Sequence, residues 1–148
     1  MEYKIATASD LAKVFRRNDE RMTTEYVAAG FNPRKIKELF NASIKVGQAH
    51  TLTEKGEPLA VIAWQLNSQG IATTFAGRPE FFNPSFVRFC RRHIRHIQID
   101  NKNIPVVACS YGTHEQLQRW FELLGFTKQR KFGAATVYYL QPKHAGDL

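Results

Sequence analysis

Thr113–Phe126, THEQLQRWFELLGF, is the stretch whose reading decides the fold. Thr113 and Gln116 have capping-box spacing: the threonine side chain accepts from the backbone three residues on, and the glutamine reaches back to the cap. Leu117, Trp120, Phe121 and Leu124 follow at helical spacing and give one apolar face. Gly125 stands where a left-handed residue ends a helix, a conformation glycine takes at no steric cost. Phe126 is placed to close the apolar contact beyond it.

Working outward, the spacing predicts two strands after this helix, Thr127–Phe132 and Thr136–Leu140, around a turn at Gly133. The polar tail Gln141–Leu148 is expected to fray. Before the helix, Ile104–Cys109 is a continuous apolar run, as in a buried strand. Asn83-Pro84 predicts a helix start, asparagine as cap and proline at the first helical position. Phe86, Phe89, Cys90, Ile94 and Ile97 then share one face, and Arg88, Arg91, Arg92 and Arg95 fall largely on the rest. Ala49–Thr53, Leu59–Leu66 and Ile71–Phe75, separated by the polar turns 54–57 and 67–70, predict an antiparallel meander. At the start, Tyr3–Ala6 reads as a strand, with Ser9 as N-cap and Asp10 in the first helical turn. Leu11, Val14, Phe15 and Met22 form one helical stripe. A second helix runs from the Asn32-Pro33 cap through Ile36, Leu39, Phe40 and Ile44 to Gly47. The order β-α-α-β-β-β-α-β-α-β-β predicts an α/β (α+β mixed-sheet) fold with helices on both faces. A single domain over residues 1–148 is expected.

The bulk numbers narrow the function. No apolar stretch approaches the roughly 20 residues of a membrane span. MEYKIATASD has no basic-then-apolar leader, so folding in the cytoplasm is expected. Cys90 and Cys109 lie in apolar runs and are expected to be buried thiols. His93 and His96 could share a helix face, but no third ligand stands at metal-binding spacing, and no metal is expected. The net charge of +8 favours acidic partners: nucleic acid, another polyanion, or a phosphorylated cofactor. Arg88, Arg91, Arg92 and Arg95 are the candidate polyanion contacts.

The element order, the opening Ile5–Leu11 (IATASDL) and the helix ending in Gly125-Phe126 resemble the GCN5-related N-acetyltransferases, the GNAT fold, over nearly the whole chain. The resemblance implies acetyl-CoA as cofactor if the protein is active. Its pyrophosphate would lie on backbone N–H groups of the loop after the fourth strand, where small residues let phosphate approach. Phe75, Gly77, Arg78, Asn83 and His114 are the implied cofactor-binding positions. The stretch Gly77–Pro84 (GRPEFFNP) departs from the family pattern. With Arg78 in first place, Phe81 and Asn83 stand where small residues belong, Pro79 and Pro84 each lack a donor, and Glu80 adds negative charge. Where many members carry a tyrosine acid the chain has Phe121, and where an asparagine contacts the cofactor arm it has His114. Tyr111 is the nearest alternative acid. Glu57, Glu80 and His50 are candidate bases.

From Pro58 to Phe132 the pattern also resembles acetyltransferase-like proteins of tailed phages, of the small internal virion protein type, with the same losses. Three readings follow. In the first, the chain is an acetyltransferase-like protein with a degraded acetyl-CoA site, acting mainly as a virion, assembly or host-interaction protein, with a virion or host protein as partner. The resemblance then implies a place in the host cytoplasm or packaged in a virion. In the second it is an N-acetyltransferase with an atypical loop, and in the third a basic nucleic-acid-binding module.

Overall fold

The computed structural model describes residues 1–112 and 115–143. The Thr113 cap, His114 and residues 144–148 lie outside them. The elements are β1 (Glu2–Ile5), α1 (Ala8–Phe15), α2 (Glu20–Ala28), α3 (Pro33–Lys45), β2 (Ala49–Glu54), β3 (Glu57–Asn67), β4 (Gly70–Gly77), α4 (Val87–Asp100), β5 (Val106–Ser110), α5 (Glu115–Leu123), β6 (Thr127–Phe132) and β7 (Ala135–Leu140). Two 3₁₀ turns, Pro79–Phe82 and Pro84–Phe86, join β4 to α4.

The local chemistry explains most boundaries. Asn32 caps α3 through its side chain, with Pro33 at the first position. Gly125 has φ +98° past α5, and Phe126 packs into the core beyond it. Three expectations are corrected. Thr7, not Ser9, caps α1, because Thr7 and Asp10 complete a reciprocal capping box. The single stripe from Leu11 to Met22 breaks into α1 and α2. Asp19 caps α2, while the Gly77 N–H donates to Asn18 Oδ1 and the Gly77 carbonyl accepts from the Asp19 N–H. Asn83-Pro84 opens a 3₁₀ turn instead of a long helix, since Asn83 Oδ1 is used by the Ser85 N–H, and α4 starts at Val87.

The seven strands form one sheet in the order β1-β2-β3-β4-β5-β7-β6. Every neighbour is antiparallel except β4 and β5. Helices cover both faces, as the apolar periodicity predicts. On one face Leu11, Val14, Ile36 and Phe40 pack on Ala49, Val61, Ala63 and Ala76. On the other, α4 and α5 bring Cys90, Ile94, Ile97, Leu117 and Trp120 onto Leu52, Ile62, Ile71, Val106 and Tyr138. Gln98 is fully buried, and its amide donates to the Ile104 and Leu140 carbonyls, which ties α4 to the end of β7. Cys90 is buried, and burial pushes its thiol up to about 12. Cys109 is exposed, against expectation, while its strand neighbours Ala108 and Ser110 are buried. Edge strand β6 is exposed along its length and carries Lys128, Arg130 and Lys131, charges that discourage pairing with another chain. Among the described residues no helix is long and apolar enough to cross a membrane.

Candidate functional site

The parallel pair β4–β5 is short. Ile71 faces Val106 and Ala72 faces Val107, and no further pairing joins the two strands. Beyond that point β4 runs on to Gly77 and β5 to Ser110. Backbone groups alternate in direction along a strand. The Arg78 N–H reaches the Leu59 carbonyl on the β3 side, at 2.9 Å, and the Ile71 N–H reaches Pro105 on the β5 side, at 2.8 Å. Thr73, Phe75 and Gly77 therefore turn their backbone groups into the opening.

Much of that edge is already satisfied from within the chain. The Gly77 N–H donates to Asn18 Oδ1 at 3.0 Å, and the Gly77 carbonyl accepts from the Asp19 N–H at 2.6 Å. The Phe75 carbonyl accepts from the Tyr26 hydroxyl at 2.8 Å, and burial pushes that phenol up, so it stays a donor. Thr73 Oγ1 bridges across to the Val107 carbonyl at 3.1 Å.

Aromatic side chains fill much of the space behind this edge. Phe75 lies 5.2 Å from Trp120 and 5.7 Å from Phe121, centroid to centroid. Trp120 also meets Phe81 at 5.2 Å and Phe82 at 5.4 Å. The Arg21 guanidinium covers the outer ring, 4.5 Å from the Phe82 centroid. On the far side a cleft of about 270 Å³ remains, with Glu25, Thr73, Phe75, Cys109, Tyr111 and Phe121 among its walls.

The loop after β4 is equally occupied. Phe81 is fully buried, and a Cβ on Gly77 would stand 2.9 Å from its ring. Glycine is needed there because the ring lies on its backbone. The Arg78 side chain is only 12% exposed. One Nη donates to the Lys13 carbonyl at 3.1 Å and the other lies 3.7 Å from Glu57. The Phe81 and Asn83 N–H groups close the first 3₁₀ turn, and the Ser85 and Phe86 N–H groups return to Asn83.

The structure thus brings Phe75, Tyr111 and Phe121 to one cleft, whereas Gly77 and Arg78 belong to the packed loop. Glu80 is exposed and ion-paired to Arg17. Its own backbone N–H, then Arg17 and Arg78, hold its carboxyl below the usual range, which weakens it as a base. Glu57 is exposed beside Arg78. Asn83 is exposed and spends its side chain on the turn. Burial first, then Cys109 and Glu25, push the Tyr111 phenol up. His114 lies outside the described residues.

His50 sits apart from the cleft, on the β1–β2–α4 side. Its Nδ1 lies 2.9 Å from His93 Nε2. His93 Nδ1 is buried with no partner among the described residues. A neutral His93 carrying its proton on Nε2 leaves only a lone pair unmatched, a smaller cost than a buried N–H. Tyr3 covers both rings at 4.8 Å. Arg88, Arg91 and Arg92 project into solvent. Arg95 is partly buried, donating to Gln98 Oε1 and the Gln141 carbonyl, so it serves the fold and not the exposed stripe.

Sequence reasoning missed Glu25. It is a buried carboxylate on α2 held by three donors at the end of β5: Ser110 Oγ at 2.7 Å, the Tyr111 N–H at 2.6 Å and the Gly112 N–H at 3.0 Å. The available signal was its place three residues after Met22, on the apolar face of the helix.

No protein-family model matches the sequence, and no curated protein matches it. Solved structures do match in shape. The GNAT domain of S. lividans PAT superposes with TM-score 0.73 at 12% identity, over 93% of this chain and 88% of that one. AAC(6')-Ib in complex with paromomycin and acetyl-CoA gives 0.70 at 13%, over 98% and 94%. A Thermoplasma acidophilum protein provisionally classed as an acetyltransferase gives 0.63 at 14%. There the alignment covers 87% of this chain but only 54% of the other. At these identities the likeness speaks of architecture, and the seven-stranded mixed sheet flanked on both faces gives this chain the GNAT acetyltransferase fold.

Proposed function

We propose that this chain uses the GNAT fold as a scaffold without acetyl transfer and works through its surface on a protein partner. In the setting implied by the phage resemblance, that partner is a virion or host protein. One observation carries the reading: the ground a cofactor would take is occupied by the chain's own groups. Phe81 lies on Gly77, Arg78 is turned inward to Lys13 and Glu57, and Asn18, Asp19 and Tyr26 bond the free edge of β4. A pyrophosphate needs free backbone N–H donors and close approach to the backbone. Here Phe81 covers Gly77, and the Gly77, Arg78, Phe81, Asn83, Ser85 and Phe86 N–H groups are spent within the chain. Arg78 Nε, buried beneath the loop, is left without a partner among the described residues. The residues present do not fit acetyl-CoA.

A second reading has its own support. The opening between β4 and β5 persists as a cleft with Tyr111 in its wall, and the raised phenol is a proton donor at neutral pH. In that reading the chain is an N-acetyltransferase with Tyr111 as acid. The nucleic-acid reading rests on the net charge and on Arg88, Arg91 and Arg92 of the helix face, since Arg95 is engaged.

Radiolabelled acetyl transfer from acetyl-CoA to a panel of polyamines and lysine peptides separates the first two readings. A thiol-detecting reagent is unsuitable, because Cys109 is exposed. The expected rate is that of the protein-free blank. Turnover above it that disappears in Tyr111→Phe would favour the enzyme.

A further inference from the structure

Glu25 is a buried acid to which the reading above gives no task. It reaches from α2 across the opening to groups at the end of a strand distant in sequence. Oε1 accepts from Ser110 Oγ and the Gly112 N–H, and Oε2 from the Tyr111 N–H. Two successive backbone N–H groups and a hydroxyl converging on one carboxylate make a concave anion cradle, a device used elsewhere to capture carboxylates. The cradle is close-fitting at Gly112, where a Cβ would stand 3.0 Å from Glu25 Oε1. It is also not sealed within the core, since Glu25 and Tyr111 both line the cleft beside Thr73, Phe75, Leu117 and Phe121.

Other contacts hold α2 in place independently. Tyr26 bonds the Phe75 carbonyl, and Arg21 bonds Gln116 of α5 at 3.0 Å. The Glu25 carboxylate can therefore leave without α2 losing its whole seat. The vacated cradle then presents three donors to a cleft whose other walls are largely apolar.

We propose that Ser110, Tyr111 and Gly112 form a carboxylate-binding site in the wall of the β4–β5 cleft, with Glu25 as its resident ligand, and that a small organic acid takes the site when the Glu25 carboxylate is displaced. The acid's oxygens replace Oε1 and Oε2, and a short apolar tail lies toward Phe75 and Phe121. The site is separate from the loop after β4 and does not depend on acetyl-CoA.

Chemical rescue tests it. Glu25→Ala leaves three donors unmatched, and its thermal midpoint should fall by roughly 5–10 °C. Sodium formate and sodium acetate should restore about 3 °C or more of this in a saturable way, relative to sodium chloride of equal ionic strength. The wild-type chain, whose cradle is filled, should show no such difference. Removing the hydroxyl donor as well, in Glu25→Ala/Ser110→Ala, should weaken the response. Should Glu25→Ala be unfolded in chloride, the same series reads the folded fraction recovered by circular dichroism. A Glu25→Ser protein, whose shorter side chain also vacates the cradle, then reads the Tyr111 and Gly112 amide resonances, which should move with formate and not with chloride. Identical curves in formate and chloride, or unmoved amides, overturn the proposal.

Discussion

Replacing Phe81 with alanine should destabilise the chain by about 3–5 kcal/mol, the cost of emptying a fully buried aromatic site that cannot collapse. The ring is fully buried and held by Trp120 at 5.2 Å, Phe82 at 5.3 Å and the backbone of Gly77. Trp120 sits on α5 and Gly77 on β4, while Phe82 belongs to the same 3₁₀ turn as Phe81, so the helix and strand walls have little freedom to close the gap. Urea unfolding followed by tryptophan fluorescence reads the loss as a lower midpoint at unchanged slope. Gly77→Ala should also destabilise, because its Cβ meets the ring at 2.9 Å. The double variant should cost less than the sum of the two, since removing the ring removes the clash. A Phe81→Ala loss under about 1 kcal/mol would mean that the ring is not the plug of this loop.

Acid should destabilise the chain through His93. In the folded state burial, reinforced by His50 and His96, lowers its pKa from 6.5 to about 3. When unfolded it takes its proton near the ordinary value. Between those two pH values the unfolded chain binds the extra proton. The contribution is therefore fully present above about pH 6.5 and is lost as pH falls towards 3, at up to about 1.4 kcal/mol per pH unit. His50, whose pKa burial also lowers, adds to the same slope. His96 is tied to Asp100 on the exposed side of α4 at 3.1 Å. Thermal midpoints between pH 7 and pH 4 should fall more steeply for the wild type than for His93→Gln. The carboxylates titrate in both proteins, so the difference isolates the imidazole. Parallel curves would contradict the assignment.

Much of the fold was legible because its signals are local. The Asn32-Pro33 cap, the Gly125 stop and the polar turns of the meander each depend on a few adjacent residues. The break between α1 and α2 was not legible. It is imposed by Asn18 and Asp19 meeting Gly77, some 59 positions away in the case of Asn18, while the apolar period runs on through it. The separation of β4 from β5 was hidden for a similar reason: a parallel register is set by distant packing, not by a turn.

The candidate site was legible in composition and not in placement. Pro79, Pro84 and Phe81 marked an unusual loop after β4, and that loop is closed by its own donors. Arg78 looked like an anion contact, but nothing in the sequence shows that it folds back onto Lys13. Glu25 looked like any helical glutamate, and only its partners at residues 110–112 reveal what it does.

The central claim is that the chain's own side chains occupy the cofactor's ground. Calorimetric titration of the purified protein with acetyl-CoA, with CoA as control, tests it most directly. The expected result is no binding heat and no thermal shift at millimolar cofactor. Saturable binding tighter than about 100 μM, weakened by Arg78→Ala, would contradict the account and return the loop after β4 to the role of a pyrophosphate site.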